Sequence, residues 1–166
     1  MDNEMKIEKP QKEHLWLQQL LGEWTFESEM DIAPGQPAMK SGGRESVRAI
    51  GGFWVLGESS SQMPGSDGTH TMLITLGYDP RQNAFAGSWI GSMMTNMWVY
   101  KGTLDASQKV LTLDTEGPSF SGDGKLARYQ DVITIKNSNE RTLHSQTRQD
   151  DGSWKRFMTA TYRRVK

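Results

Sequence analysis

The ten residues Trp89–Trp98, WIGSMMTNMW, hold three Met, two Trp, a Ser and a Thr. Thioether chains are deformable and indoles are broad and flat, so together they suit the rim or lining of an apolar pocket. Ser92 and Thr95 would then serve as its polar anchors. The same residues would equally well fill the core of a hairpin. Upstream, in Phe53-Trp54-Val55-Leu56-Gly57-Glu58, Glu58 shares a strand face with Trp54 and Leu56. If that face points inward, desolvation raises the carboxyl pKa and suits it to acid–base work. Ser60 and Gln62 continue the same face and fit the opposite, solvated orientation. Asp131, beside Tyr129 and Ile133, poses the same question. A barrel receiving Glu58, Asp131 and Arg156 would enclose a polar cavity, not a purely fat-binding one. The candidate ligand-binding set is Trp54, Glu58, Trp89, Ser92, Met93, Thr95 and Trp98; no catalytic residue is singled out.

Other chemistries have less support. His14, His70 and His144 are far apart and lack a metal-ligand spacing. His14 is expected on an exposed helix face. His144 shares a face with Thr142, Gln146 and Arg148, which reads as solvated. The segment from Glu116 to Lys125 is glycine-rich but has no phosphate-binding order, and Phe120 at its centre is either a lid residue or part of a plain hairpin loop. No Gly-x-Ser-x-Gly elbow is present, and zero Cys excludes thiolate sites and disulfides. No metal and no cofactor is expected.

These residues need elements to position them. Leu15, Trp16, Leu17, Leu20 and Leu21 form a dense apolar group without β-branching, which predicts a short helix over 11–21 ended by Gly22. Beyond Gly22 the chain becomes short alternating runs. They are divided at Pro34-Gly35, Pro64-Gly65-Ser66-Asp67-Gly68, Asp79-Pro80-Arg81-Gln82-Asn83, Asp105-Ala106-Ser107-Gln108, Asn137-Ser138-Asn139-Glu140 and Asp150-Asp151-Gly152-Ser153. The spacing predicts ten strands, at 23–32, 41–50, 53–63, 69–78, 83–91, 96–104, 109–116, 126–136, 140–149 and 154–165. In the eighth, Ala127, Tyr129, Ile133 and Ile135 share a face with Asp131. In the last, Trp154, Met158, Ala160 and Tyr162 share one with Arg156 and Arg164. Ten hairpin-linked strands favour closure over an open sheet with exposed edges. The expected fold is all-β with one short N-terminal helix: an antiparallel up-and-down β-barrel of about ten strands. A two-sheet sandwich is the alternative.

Composition sets the outer bounds. A chain of 166 residues with 35% hydrophobic content builds one core of half-wet strands. Residues 1–10 are expected to be a flexible lead-in, and 11–166 a single domain. A formal charge of −1 offers no basic field for nucleic acid. No apolar run is long enough to cross a bilayer as a helix, and the polar N-terminus has no signal-like apolar stretch. The expected setting is therefore cytoplasmic, without nucleic-acid or membrane partners, and with homo-oligomerisation left open.

Gly22-Glu23-Trp24 after a short helix resembles the calycin superfamily of lipocalins and fatty-acid-binding proteins. The resemblance implies a Trp closing the barrel floor with a last-strand Arg across it, here Arg163 or Arg164. A longer set of residues is similar to the bacterial family catalogued as domain of unknown function 1579. These are Leu21-Gly22-Glu23-Trp24, Gly51-Gly52-Phe53-Trp54, Gly77-Tyr78-Asp79, Trp89 to Thr95, Tyr100-Lys101-Gly102-Thr103-Leu104-Asp105 and Met158-Thr159-Ala160-Thr161-Tyr162. The resemblance spans about residues 11–165. It implies a lipocalin-like barrel, with no activity established for the family as a whole. Many members carry an acidic residue where this chain has Gly91, so a role for that carboxylate does not transfer. Haem-binding calycin relatives use a single barrel His, which His70 or His144 would have to imitate.

The leading expectation is a barrel that binds a small apolar or amphipathic ligand. The alternatives are an enzyme of cyclase, isomerase or hydrolase type using Glu58 or Asp131, and a filled structural or interaction module. An empty lined cavity favours the first, opposed acid–base groups the second, and a dry filled interior the third.

Overall fold

The structure, a computed structural model, describes residues 8–62 and 68–165. Residues 1–7 of the expected lead-in, Met63, the divider from Pro64 to Asp67, and Lys166 lie outside the described residues. A helix, α1 (Lys12–Gln18), precedes ten strands: β1 (Gly22–Met30), β2 (Met39–Ile50), β3 (Trp54–Gln62), β4 (Thr69–Asp79), β5 (Ala84–Gly91), β6 (Trp98–Leu104), β7 (Val110–Pro118), β8 (Leu126–Asn137), β9 (Glu140–Arg148) and β10 (Trp154–Arg164). Each strand pairs antiparallel with its sequence neighbours, and β1 pairs with β10, so the barrel is closed and the sandwich is ruled out. Closure satisfies the backbone groups that edge strands would leave open.

Alternation explains which residues enter the core. In β1, Trp24 and Phe26 are buried while Thr25 and Glu27 are exposed. Trp24, Phe26, Leu76, Phe85, Leu111, Leu113, Ile133 and Tyr162 belong to one continuous cluster. Phe26 needs room on the neighbouring strand, and Gly43 provides it. A Cβ at Gly43 would strike the Ser60 carbonyl and the Phe26 ring.

The helix plugs one end. Trp16, Leu17 and Leu20 are buried there, with the Trp16 indole N–H donating to the Gln108 carbonyl at 2.6 Å. His14 is buried rather than exposed, correcting the sequence expectation. Its Nδ1 accepts the Gln11 backbone N–H at 2.9 Å, which leaves Nε2 to donate to the Tyr78 carbonyl at 3.0 Å. The ring also lies edge-on to Phe53 and Tyr78. It is therefore a structural clamp between α1 and β4.

Arg164, rather than Arg163, is the floor residue that the superfamily resemblance implies. Its guanidinium lies 4.2 Å from the Trp24 ring centroid and donates to the Leu21, Gln19 and Ser138 carbonyls. It thus joins the last strand to the chain leaving the helix. Arg163 faces solvent, with loose 3.7 Å pairings to Glu27 and Glu140. R164A is expected to lower stability by about 2 kcal/mol, and R163A by about 0–1 kcal/mol. Paired urea denaturation curves check the contrast, and equal losses would show that the floor does not depend on Arg164.

Candidate functional site: the barrel cavity

Above the helical floor the barrel encloses a cavity of about 420 Å³. Its lower wall carries Leu20, Phe26, Val47, Val55, Leu76 and Ile133; nearer the mouth stand Trp89, Met93, Trp98, Phe120, Tyr129 and Phe157. Small residues keep it open: β3 contributes Val55, Gly57, Ser59 and Ser61, and β10 contributes Ala160. The indole of Trp98 lies flat over Gly117, where any Cβ would collide with the ring. Trp98 also meets Tyr129 edge-on at 5.1 Å and donates its indole N–H to the Met94 sulfur at 3.1 Å. The rim is apolar and partly exposed, with Phe120 67% accessible and Met93, Met94 and Met97 open to solvent.

Two polar groupings interrupt this lining. At one, the Arg141 guanidinium donates to Glu45, whose other oxygen accepts the Ser59 hydroxyl at 2.8 Å. Arg141 is only 4% exposed and lies 4.0 Å from the Tyr162 ring centroid and 4.7 Å from that of Trp24. At the other, Asp131 accepts from the Tyr100 hydroxyl and from Ser145 at 2.5 Å. Burial raises the Asp131 pKa, while the two hydroxyl donors pull it back by favouring the charged form. Tyr100 is held well above the ordinary phenol range, first by burial and then by the Asp131 charge. Tyr162 is raised by burial and by Glu45. Thr115 Oγ1, also on the cavity wall, is buried without a hydrogen-bond partner, as is Arg141 Nε.

The seven residues singled out from sequence divide three ways. Trp89, Met93 and Trp98 line the cavity. Ser92 and Thr95 are exposed outside the lining; Ser92 Oγ accepts the Thr71 backbone N–H at 3.0 Å and so fixes the start of the β5–β6 loop. Trp54 and Glu58 face outward, which corrects the inward reading of their face. Trp54 is 44% exposed and covers Gly77 from outside, and Glu58 is solvent-exposed. The inward face of β3 is the complementary one because its Gly and Ser leave space where Trp and Glu would not fit.

Arg156 is corrected likewise. A β-bulge between Arg156 and Met158 reverses the phase, so Phe157 and Met158 line the cavity while Arg156 lies outside, 3.5 Å from His144. His144 is half-buried outside the cavity lining, and burial followed by the nearby Arg156 charge lowers its pKa. His70 lies opposite Ser61 near the mouth end of β4, in phase with the lining residues Met72, Ile74 and Leu76. Of the two imidazoles, His144 is not placed to hold a haem within the barrel, because it stands outside the lining.

Glu45, Tyr100, Arg141 and Ser145 were not anticipated as site residues. One signal for two of them was present: if the face of His144 is solvated, its complement, Arg141-x-Leu143-x-Ser145, faces in.

A closed antiparallel barrel with a helix-plugged floor and a ligand-sized interior is a lipocalin-like barrel. The chain belongs to the family described as protein of unknown function (DUF1579), whose model matches residues 9–164. No curated protein matches it in sequence. Among solved structures it is similar to Rv2717c from M. tuberculosis, with a TM-score of 0.63 at 13% identity over 95% of this chain and 100% of that one. It is also similar to the S-type phycobiliprotein lyase CPES from Guillardia theta, with a TM-score of 0.61 at 11% identity over 95% and 99% of the two chains. At such identities the likeness is one of fold.

Proposed function

We infer that this protein binds a small, partly apolar molecule inside its barrel. The observation that carries the reading is the open cavity itself. Its volume lies in the range of small-molecule sites, its wall is mostly aromatic and aliphatic, and its few polar groups converge from several strands. A barrel serving only as a scaffold gains stability by filling such a space, since each void forfeits packing energy. Here Gly57, Ser59, Ser61 and Ala160 stand where larger apolar residues would close it. The exposed Met and Phe side chains at the rim form an adaptable entrance. The phycobiliprotein lyase shares this barrel architecture, which is compatible with a ligand-handling role.

Titration with the neutral fluorophore N-phenyl-1-naphthylamine tests the reading, alongside native mass spectrometry of the purified protein. Saturable, blue-shifted fluorescence is expected for the wild type. A160F, which projects a ring into the void, is expected to weaken binding by at least about tenfold. S61L, nearer the mouth, provides a second obstruction should the first variant misfold. Absence of saturable binding and of any retained mass would overturn the proposal.

A second reading, an enzyme with Asp131 as its proton-transfer group, draws on the raised carboxyl pKa inside a cavity. Loss of any detected turnover in D131N at unchanged fold would support it.

A further inference from the structure

The charged side chains in the cavity wall are Glu45, Asp131 and Arg141. Arg141 is already engaged, donating to Glu45 and stacked against Tyr162 and Trp24. The remaining Glu45 oxygen accepts from Ser59. That grouping is neutral and internally satisfied apart from Arg141 Nε. Asp131 differs, because its two oxygens receive hydroxyl donors only, from Tyr100 and Ser145. Among the described residues no cation forms an ion pair with it. It is the interior charge that lacks a counterion.

The surroundings of Asp131 suit a cation. Tyr129 stands two residues before it on the same face of β8, and its ring lies 5.1 Å from Trp98, 5.2 Å from Phe120 and 6.2 Å from Phe157. Four aromatic rings thus stand between Asp131 and the rim, and their faces attract positive charge. Thr115, directly across from Tyr129 on β7, offers a buried hydroxyl that has no partner and can accept a hydrogen bond. A carboxylate, a free acceptor and an aromatic cluster on one wall form a recognition site for an N–H-bearing cation.

We propose that the ligand of this cavity is a protonated amine carrying an apolar body, with its ammonium group bonded to Asp131 and Thr115 and its body held among Trp98, Tyr129 and Phe157. The proposal rests on the reading that the cavity binds a ligand, and it names the chemical class. An anionic ligand would meet Asp131 unscreened while Arg141 stays occupied by Glu45. A neutral ligand would leave the carboxylate charge buried and uncompensated, which is unfavourable. Burial already raises the Asp131 pKa, and an ammonium neighbour reverses that tendency.

Three probes with one skeleton and different charge test the class: 4-phenylbutylamine, 4-phenyl-1-butanol and 4-phenylbutyrate, measured by isothermal titration calorimetry at neutral pH. The amine is expected to bind at least about tenfold more tightly than the alcohol, with the butyrate weakest. D131N is expected to remove the amine's advantage, weakening amine binding and strengthening that of the alcohol, which no longer leaves a buried charge uncompensated. A readout that needs no variant is the pH profile. Amine affinity should fall as pH drops through the raised Asp131 titration, whereas alcohol affinity should rise as the carboxyl becomes neutral. Of the other groups around the cavity, Tyr100 and Tyr162 are held protonated by burial, Glu45 is ion-paired with Arg141, His70 stands at the mouth end of β4, and Asp114, Glu116 and His144 lie outside the lining. Equal binding of amine and alcohol, or tightest binding of the butyrate, would overturn the amine proposal while leaving the cavity reading intact. Failure of every probe, including the neutral fluorophore, would overturn both.

Discussion

R141M is expected to destabilise the barrel by about 3–5 kcal/mol, with the loss largely recovered in the double variant E45L/R141M. The guanidinium is buried, donates to Glu45, and lies against the rings of Trp24 and Tyr162. Removing it alone strands the Glu45 carboxylate in an apolar barrel with Ser59 as its remaining hydrogen-bond donor. An uncompensated buried charge is far more unfavourable than the pair was favourable, because desolvating both ions had already offset much of their attraction. Replacing both by apolar side chains removes that charge entirely. Chemical denaturation followed by Trp fluorescence measures the cycle. A loss below about 1 kcal/mol in R141M would mean that the pair is effectively solvated.

Y100F ranks second, with an expected loss of about 1.5–3 kcal/mol at neutral pH, the scale of a buried hydrogen bond to a charged acceptor. The phenol donates to Asp131, a carboxylate that among the described residues accepts one other side-chain hydroxyl, that of Ser145. The loss depends on pH, and its sign follows from linkage. Asp131 has a folded-state pKa raised above its ordinary value. Its contribution to stability is therefore full below the ordinary carboxyl range and is lost as pH rises through the raised value. Y100F removes a bond that favours the charged form, which raises the folded pKa further and enlarges that loss. The variant's deficit should shrink on acidification and grow toward neutrality, as thermal unfolding at a series of pH values would reveal. A deficit independent of pH would show that the phenol does not act on the Asp131 charge.

Both effects turn on side chains whose partners are remote in sequence. Glu45 and Arg141 are 96 positions apart, and Tyr100 and Asp131 are 31 apart. Strand alternation can place each on an inward face but cannot say which strands meet. For Asp131, whose orientation the sequence left open, the apolar neighbours of the same phase, Tyr129, Ile133 and Ile135, pointed to the inward face that it takes. For Glu58 the same logic misled. Trp54 and Leu56 gave its face an apolar character, yet the opposite face, with its Gly and Ser, is the one that lines the cavity. A binding barrel inverts the usual expectation, since small residues can mark the inside where a space must stay open. On β10 one extra residue at the bulge moved Arg156 to the exterior and brought Phe157 to the wall.

What the amino-acid order determined by itself is the set of elements and their succession as hairpins. Period-two alternation broken by Gly, Pro, Asn and Asp clusters yields consecutive hairpins, and the family resemblance at Gly22-Glu23-Trp24 implied which end is plugged. Those are local properties, set by neighbours within a few residues of one another. Tertiary structure decided which face of each strand enclosed the cavity and which distant charges met there. A strand has two faces that differ by a single step of register, and only the packing of all ten around a common axis selects between them. That packing joined Glu45 to Arg141 and left Asp131 facing an open, aromatic-walled space.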